Sequence, residues 1–234
     1  MGGAGDPEGL PRQRRGTTPQ MHGRYPDFDV LEQAPHWDEV TRRVVLARLD
    51  PPAPRFFTKA ETRTLGAFCD TVLAQDREPR VAVLAFVDAK LFERRLDGFQ
   101  YADMPGDGEA WRLVARGLDE AAGERGARSF AEAATEDRLA VCEAFAEGRL
   151  AGGTWDRIPV AHAWTVVMRT VLAAFYSHPW AWNEIGFGGP AYPRGYMRLG
   201  IGQREPWEGD DEFPLDPVRD VRERDLDHPT ETAE

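Results

Sequence analysis

Cysteine is scarce in this chain, with only Cys69 and Cys142 among 234 residues. Both stand at apolar positions of amphipathic segments ("LGAFCDTVL" and "LAVCEAF"), so they read as small buried hydrophobes and not as a metal pair or redox motif. The sequence gives no reason to demand a bond between them. Long apolar runs are missing too: nothing approaches the roughly 18 consecutive apolar residues of a membrane-spanning helix, which predicts no direct membrane span. Lysine and arginine nowhere gather into the stripe that a phosphate backbone requires. Nucleic acid is therefore not an expected partner.

Catalytic motifs are equally thin. There is no Gly-x-Ser-x-Gly elbow, no phosphate loop ending in Gly-Lys-Ser/Thr, and no cysteine with an evident histidine partner. No Glu-x-x-His pair of the kind that builds dinuclear sites in helical bundles occurs. The five histidines, His22, His36, His162, His178 and His228, are scattered without the spacing of a zinc or iron site. His162 reads as a satisfied core or boundary residue of an apolar helix, and His178, ahead of Pro179, as a C-terminal cap facing the last carbonyls. The hexapeptide "GFGGPA" formally satisfies Gly-x-Gly-x-x-Ala. A dinucleotide fingerprint needs a strand before it and a helix opening within it, and Pro190 and Pro193 forbid the latter. The expectation is a chain with no catalytic residues, no metal ligands and no cofactor of its own.

What is present describes a soluble globular protein, 41% apolar and 29% charged. The net charge of −11 is uneven: residues 205 to 234 carry 12 acidic and 3 basic side chains, residues 1 to 24 carry +2, and −4 remains for residues 25 to 204. Residues 1–23 read as a flexible tail, 24–208 as a single helical domain, and 209–234 as an acidic disordered tail. Arg14 and Arg15 form a twin-arginine pair, but no apolar stretch or small-residue cleavage site follows. The pair reads as chance, and no export signal is expected.

The expected fold is all-α, an irregular bundle of about five or six helices with a long Gly/Pro/aromatic C-terminal loop layer. A helix is expected over 36 to 49, followed by the stiff "DPPAPR" linker. Thr58 and Glu61 have capping-box spacing with Phe57 as a staple, opening a helix to about Asp76 that carries Leu65, Phe68, Cys69, Val72 and Leu73 on one stripe. Further helices are expected over 81 to 96, 108 to 124, 135 to 148 and 159 to 176. Ser129 and Glu132 repeat the capping-box spacing, and the last helix carries Val160, Trp164, Val167, Val171 and Phe175 toward the core.

Residues 177 to 200, "SHPWAWNEIGFGGPAYPRGYMRLG", break the helical pattern with aromatics, glycines and prolines. They read as a rigid, extended, aromatic-studded segment: glycine allows close approach, proline lowers the entropy lost on ordering, and rings supply apolar area with few rotatable bonds. Trp180, Trp182 and Phe187 are candidate plugs for the protein's own core. The same ring types dominate interface hot spots, so docking is the second reading. An independent enzyme using His178, Glu184 and Arg194, and a general scaffold or chaperone-like module, are the alternatives.

The segments "RFFTKAETRTLGAFCDTVLAQD", "AFVDAKL", "GFQYADMP" and above all "YSHPWAWNEIGFGGPAYPRGYMRLG" resemble the gluconate 2-dehydrogenase subunit 3 family over roughly residues 24 to 208. The resemblance implies a non-catalytic accessory subunit supporting the maturation or stability of an FAD-dependent dehydrogenase large subunit of the glucose-methanol-choline type, with a cytochrome c subunit as a further partner. FAD is then expected in the partner. On the family's motif the partner-interface positions are Trp180, Trp182, Asn183, Glu184, Ile185, Gly186, Phe187, Gly189, Pro190, Tyr192, Pro193, Arg194, Gly195 and Tyr196. Many members carry a twin-arginine leader whose apolar part this sequence lacks. A cytoplasmic complex is expected, or a periplasmic one if the partner carries the signal.

Overall fold

A side-chain cap opens some of the helices and is absent from the start of others. The computed structural model describes residues 28–75, 80–95, 98, 100–197 and 205–209. Both predicted tails therefore lie, wholly or almost wholly, outside the described residues. The helices are α1 (Glu39–Leu46), α2 (Lys59–Val72), α3 (Val83–Phe92), α4 (Asp107–Gly123), α5 (Thr135–Ala146), α6 (Val160–Phe175) and α7 (Pro179–Ile185). Among the described residues all regular structure is helical, as expected. The Thr58 hydroxyl accepts the Glu61 amide at 3.3 Å while the Glu61 carboxylate accepts the Thr58 amide at 2.8 Å, completing the predicted capping box of α2.

Three expectations need correction. The helix expected over 36 to 49 is split: a 3₁₀ turn covers Val30–His36, α1 follows, and a second 3₁₀ turn covers Ala47–Leu49. Asp29 and Asp38 accept the amides of Leu31 (3.0 Å) and Thr41 (3.1 Å), each opening its own turn, so that α1 begins after Asp38. Ser129 makes no side-chain cap; Glu132 instead pairs with Arg128 at 2.8 Å, and Phe130–Glu132 is a single 3₁₀ turn. Residues 179 to 185, expected to be extended, form α7. Proline at the first helical position loses no hydrogen bond that the helix would have made, so Pro179 starts this helix.

The chain divides into two units, one Leu46–His178 and the other Met1–Val45 with Pro179–Glu234. Within Leu46–His178, α2 packs on α3, α4 and α5, and α6 packs on α3, α4 and α5. The centre is aromatic: Phe68 lies 6.1 Å from Phe145 and 6.3 Å from Trp164, and Phe145 lies 4.9 Å from Trp155. Phe68, Phe145 and Phe175 are fully buried, as are Val167 and Val171 of α6. Cys69 and Cys142 are buried free thiols, and burial pushes both thiol pKa values up, that of Cys142 to about 12.

Buried polar groups hold the connections. The Asp88 carboxylate, 1% exposed, accepts the amides of Arg55 (2.5 Å), Phe56 (2.9 Å) and Phe57 (2.9 Å), fastening the end of the proline-rich linker to α3. Asp119 accepts the Thr64 hydroxyl at 2.8 Å and the Phe130 amide at 2.9 Å, joining α4 to α2 and to the turn after it. Gln75 pairs with the backbone of Val81 in both directions, at 2.8 and 3.1 Å. Each satisfied pair removes a buried orphan that would otherwise destabilise the unit.

Candidate functional site

The aromatic segment is built from the inside outward. Its foundation is an apolar cluster of Val30, Trp37, Val45 and Trp182, edged by Phe28, Leu31, Ala34 and Phe187. Asn183 of α7 locks the Val30–His36 turn onto this cluster. Its Oδ1 accepts the Val30 amide at 2.8 Å, and its Nδ2 donates to Asp29 Oδ1 at 3.2 Å.

α7 ends in a full Schellman motif. The Phe187 amide donates to the Trp182 carbonyl at 3.0 Å and the Gly186 amide to the Asn183 carbonyl at 3.4 Å. Gly186 sits at φ +68°, the left-handed residue the motif needs. The apolar contact that accompanies such ends is Trp182 against Phe187, edge to face with centroids 5.5 Å apart. The signal in the sequence is Trp182-x-x-x-Gly186-Phe187.

Two glycines then let the chain pass beneath tryptophan. A Cβ on Gly188 would stand 2.5 Å from Trp207 Cδ1 and 2.6 Å from the Trp207 carbonyl oxygen. On Gly189, at φ +76°, it would stand 2.7 Å from Trp37 Cζ2 and 3.0 Å from Val30 Cγ2. Farther along, the Gly195 amide donates to the Ala191 carbonyl at 2.8 Å, and the Met197 amide to Glu205 Oε1 at 2.5 Å. The Gly209 amide returns to the Gly186 carbonyl at 2.9 Å, closing the structure on itself. Arg194 lies over the Trp207 ring, 4.0 Å from its centroid, and its Nη1 donates to Gln33 Oε1 at 2.9 Å.

This construction sorts the expected partner-interface residues. Trp182, Asn183, Glu184, Gly186 and Gly189 are buried, and Trp180, Phe187, Pro190 and Arg194 are half-buried. Ile185, Tyr192, Pro193, Gly195 and Tyr196 are exposed. Tyr192 is 66% and Tyr196 56% exposed, so most of each side chain faces outward. Met197, absent from the expected set, is 74% exposed.

The three residues of the enzyme alternative fall differently. His178 ends the Leu46–His178 unit, whereas Glu184 and Arg194 belong to the other. The His178 imidazole is 3% exposed, beside Phe86 with centroids 6.3 Å apart. Burial pushes its pKa down to about 4, with a hydrogen bond to the Arg48 backbone opposing and the Arg48 charge assisting the fall. Arg48 also bonds this helix end, its Nη1 donating to the Ser177 carbonyl at 2.7 Å.

One cluster has no counterpart among the motifs of the sequence. His162 stacks on Tyr101 at 4.1 Å and 6°, with its Nδ1 2.9 and 3.0 Å from the two Asp103 oxygens. A separation of 59 residues hides such a contact from any spacing rule. Among the described residues no three His, Cys, Asp or Glu side chains gather as a metal site would need, and no helix is long and apolar enough to cross a membrane.

Fold and surface together define an all-helical protein whose C-terminal ribbon is anchored from within and carries outward rings. The family model described as gluconate 2-dehydrogenase subunit 3 matches residues 59–189, more than half of the chain, and the chain belongs to that family. The match takes in α2 to α7 and ends at Gly189. No curated protein and no solved structure matches the chain.

Proposed function

We propose that this chain is a non-catalytic small subunit that docks on an FAD-dependent dehydrogenase large subunit of the glucose-methanol-choline type and supports its maturation or stability. The observation that carries the reading is the pair of exposed rings, Tyr192 and Tyr196, on a ribbon that buried glycines and Asn183 hold from beneath. A surface ordered before binding loses little further conformational entropy on association, so its rings yield more of their contact energy as affinity. Tyrosine is among the residues that most often dominate interfaces. The flavin belongs to the large subunit in this reading, a cytochrome c subunit is a further partner, and the complex works in the cytoplasm unless the large subunit carries an export signal. Membership of a dehydrogenase-subunit family supports the assignment.

The sorting of the rings changes which residues test it. Trp182 belongs to the buried cluster, and Trp182→Ala would damage the fold before it reported on docking. The informative variant is Tyr192→Ala with Tyr196→Ala. Affinity capture of the full chain from its native host, read by mass spectrometry and flavin absorbance, is expected to yield a flavoprotein. The double variant is expected to lose it with an unchanged melting temperature. A large subunit that acquires full flavin and activity in cells lacking this chain defeats the proposal.

A further inference from the structure

Arg194 is a polar residue of the ribbon whose hydrogen bonding is incomplete among the described residues. Its Nη1 donates to Gln33 Oε1 at 2.9 Å, and one face of the guanidinium lies over Trp207 at 4.0 Å. The other two nitrogens, Nε and Nη2, are buried, and among the described residues neither has a hydrogen-bond acceptor. They are not an arbitrary pair. Nε–H and one Nη2–H point the same way from the same edge of a planar fork, the edge that receives both oxygens of a carboxylate at once. Gln33 and Trp207 fix the plane, and that edge is shut off from solvent with its two donors unmet.

A half-buried cation with two buried, unmet donors is disfavoured until an anion arrives. Desolvation by burial lowers the Arg194 pKa, in keeping with a charge that its surroundings do not fully compensate. The neighbours on either side, Pro193 and Gly195, are exposed, and nothing stands within 4 Å of a Cβ placed on Gly195. A ligand reaches the buried edge of the guanidinium only if the ribbon eases outward there. Exposed Tyr192 and Tyr196 flank the same position.

We infer that Arg194 is the anion receptor of the docking face, taking the carboxylate of an Asp or Glu side chain of the large subunit through Nε and Nη2. The inference rests on the docking reading above and adds the chemistry of the partner's anchor. Rim tyrosines supply contact area, and the fork supplies register, because a bidentate pair tolerates one orientation of the incoming group.

The test uses the full chain and its complex with the large subunit. Arg194→Lys keeps the charge but loses the fork, so it is expected to weaken the complex at least about tenfold while leaving the melting temperature of the free chain within error. Arg194→Gln is expected to weaken it as much. In the free chain, acetate added at constant ionic strength is expected to shift the Arg194 Nε–H resonance where chloride does not. If Tyr192→Ala and Tyr196→Ala weaken the complex and Arg194→Lys does not, the receptor is refuted and docking by the ribbon survives. If none of these variants weakens it, the docking reading goes as well. A shift with acetate beside an unaffected complex refutes the partner as the source of the carboxylate.

Discussion

The side-chain oxygen of Asn183 accepts the backbone amide of Val30 at 2.8 Å, joining residues 153 positions apart in the sequence. The bond is buried, and the Asn183 side-chain nitrogen reaches Asp29, the residue that caps the Val30–His36 turn. Asn183 therefore folds the segment that carries the exposed rings and does not itself face outward. Asn183→Ala leaves the Val30 amide buried with no acceptor and is expected to cost about 2 kcal/mol. Hydrogen exchange should register it as faster exchange over residues 28 to 37, with residues 59 to 72 of α2 unaltered. Equal exchange in both regions would show that the bond does not hold the turn.

The paired glycines make a second, steric prediction. Gly188→Ala must displace the Trp207 backbone, and Gly189→Ala combines a left-handed backbone with contact on Trp37 and Val30. Gly195→Ala at φ +72° meets only the backbone strain, since nothing lies within 4 Å of its Cβ. The expected loss is about 1 kcal/mol at Gly195 from backbone strain, roughly 1 to 3 kcal/mol at Gly188 from overpacking, and roughly 2 to 4 kcal/mol at Gly189, where the two add. Chemical denaturation of the three variants checks the order. A Gly195 variant as unstable as the other two would contradict it.

In the Leu46–His178 unit the carboxylate to alter is Asp88, which accepts three consecutive amides from Arg55 to Phe57. Asp88→Ala strands all three and is expected to cost on the order of 3 kcal/mol. Asp88→Asn retains one acceptor oxygen and should recover part of that loss. Urea midpoints give the ranking of wild type above Asp88→Asn above Asp88→Ala. Coincident midpoints for the two variants would mean that the amides find other partners.

The capping box at Thr58 and Glu61 and the apolar stripe of α2 are local patterns, legible in the sequence, and they fold as local rules require. The break at Asp38 is just as local, but the apolar spacing on both sides continues through it and masks the cap. Composition hides α7: proline, two tryptophans and a following glycine resemble a loop, although proline at the first position and glycine past the last are where helices accept them. Which rings of the segment face inward is not readable at all. That depends on Val30 and Trp37, about 150 residues upstream, through contacts that no periodicity encodes.

Protonation of one buried ring sets a dependence on pH. The His178 imidazole titrates near 6.5 when free and is pushed down to about 4 by burial in the folded chain. A lowered basic pKa means that the unfolded chain takes up a proton between those values while the folded chain does not, so acid favours unfolding. The neutral ring's contribution is complete above pH 6.5 and is lost progressively as pH falls toward 4, by on the order of 3 kcal/mol in all. Glu120 acts lower: hydrogen bonds from Thr154 hold its carboxyl below the ordinary glutamate value of 4.5, so its contribution is present above that value and lost below it. Unfolding measured at about pH 7.5 and about pH 5 thus isolates the histidine from that carboxylate. Wild type is expected to lose stability over this interval, and His178→Gln, lacking the proton site, is expected to lose much less. If both chains lose the same amount, the slope comes from other groups and His178 is not held neutral by its burial.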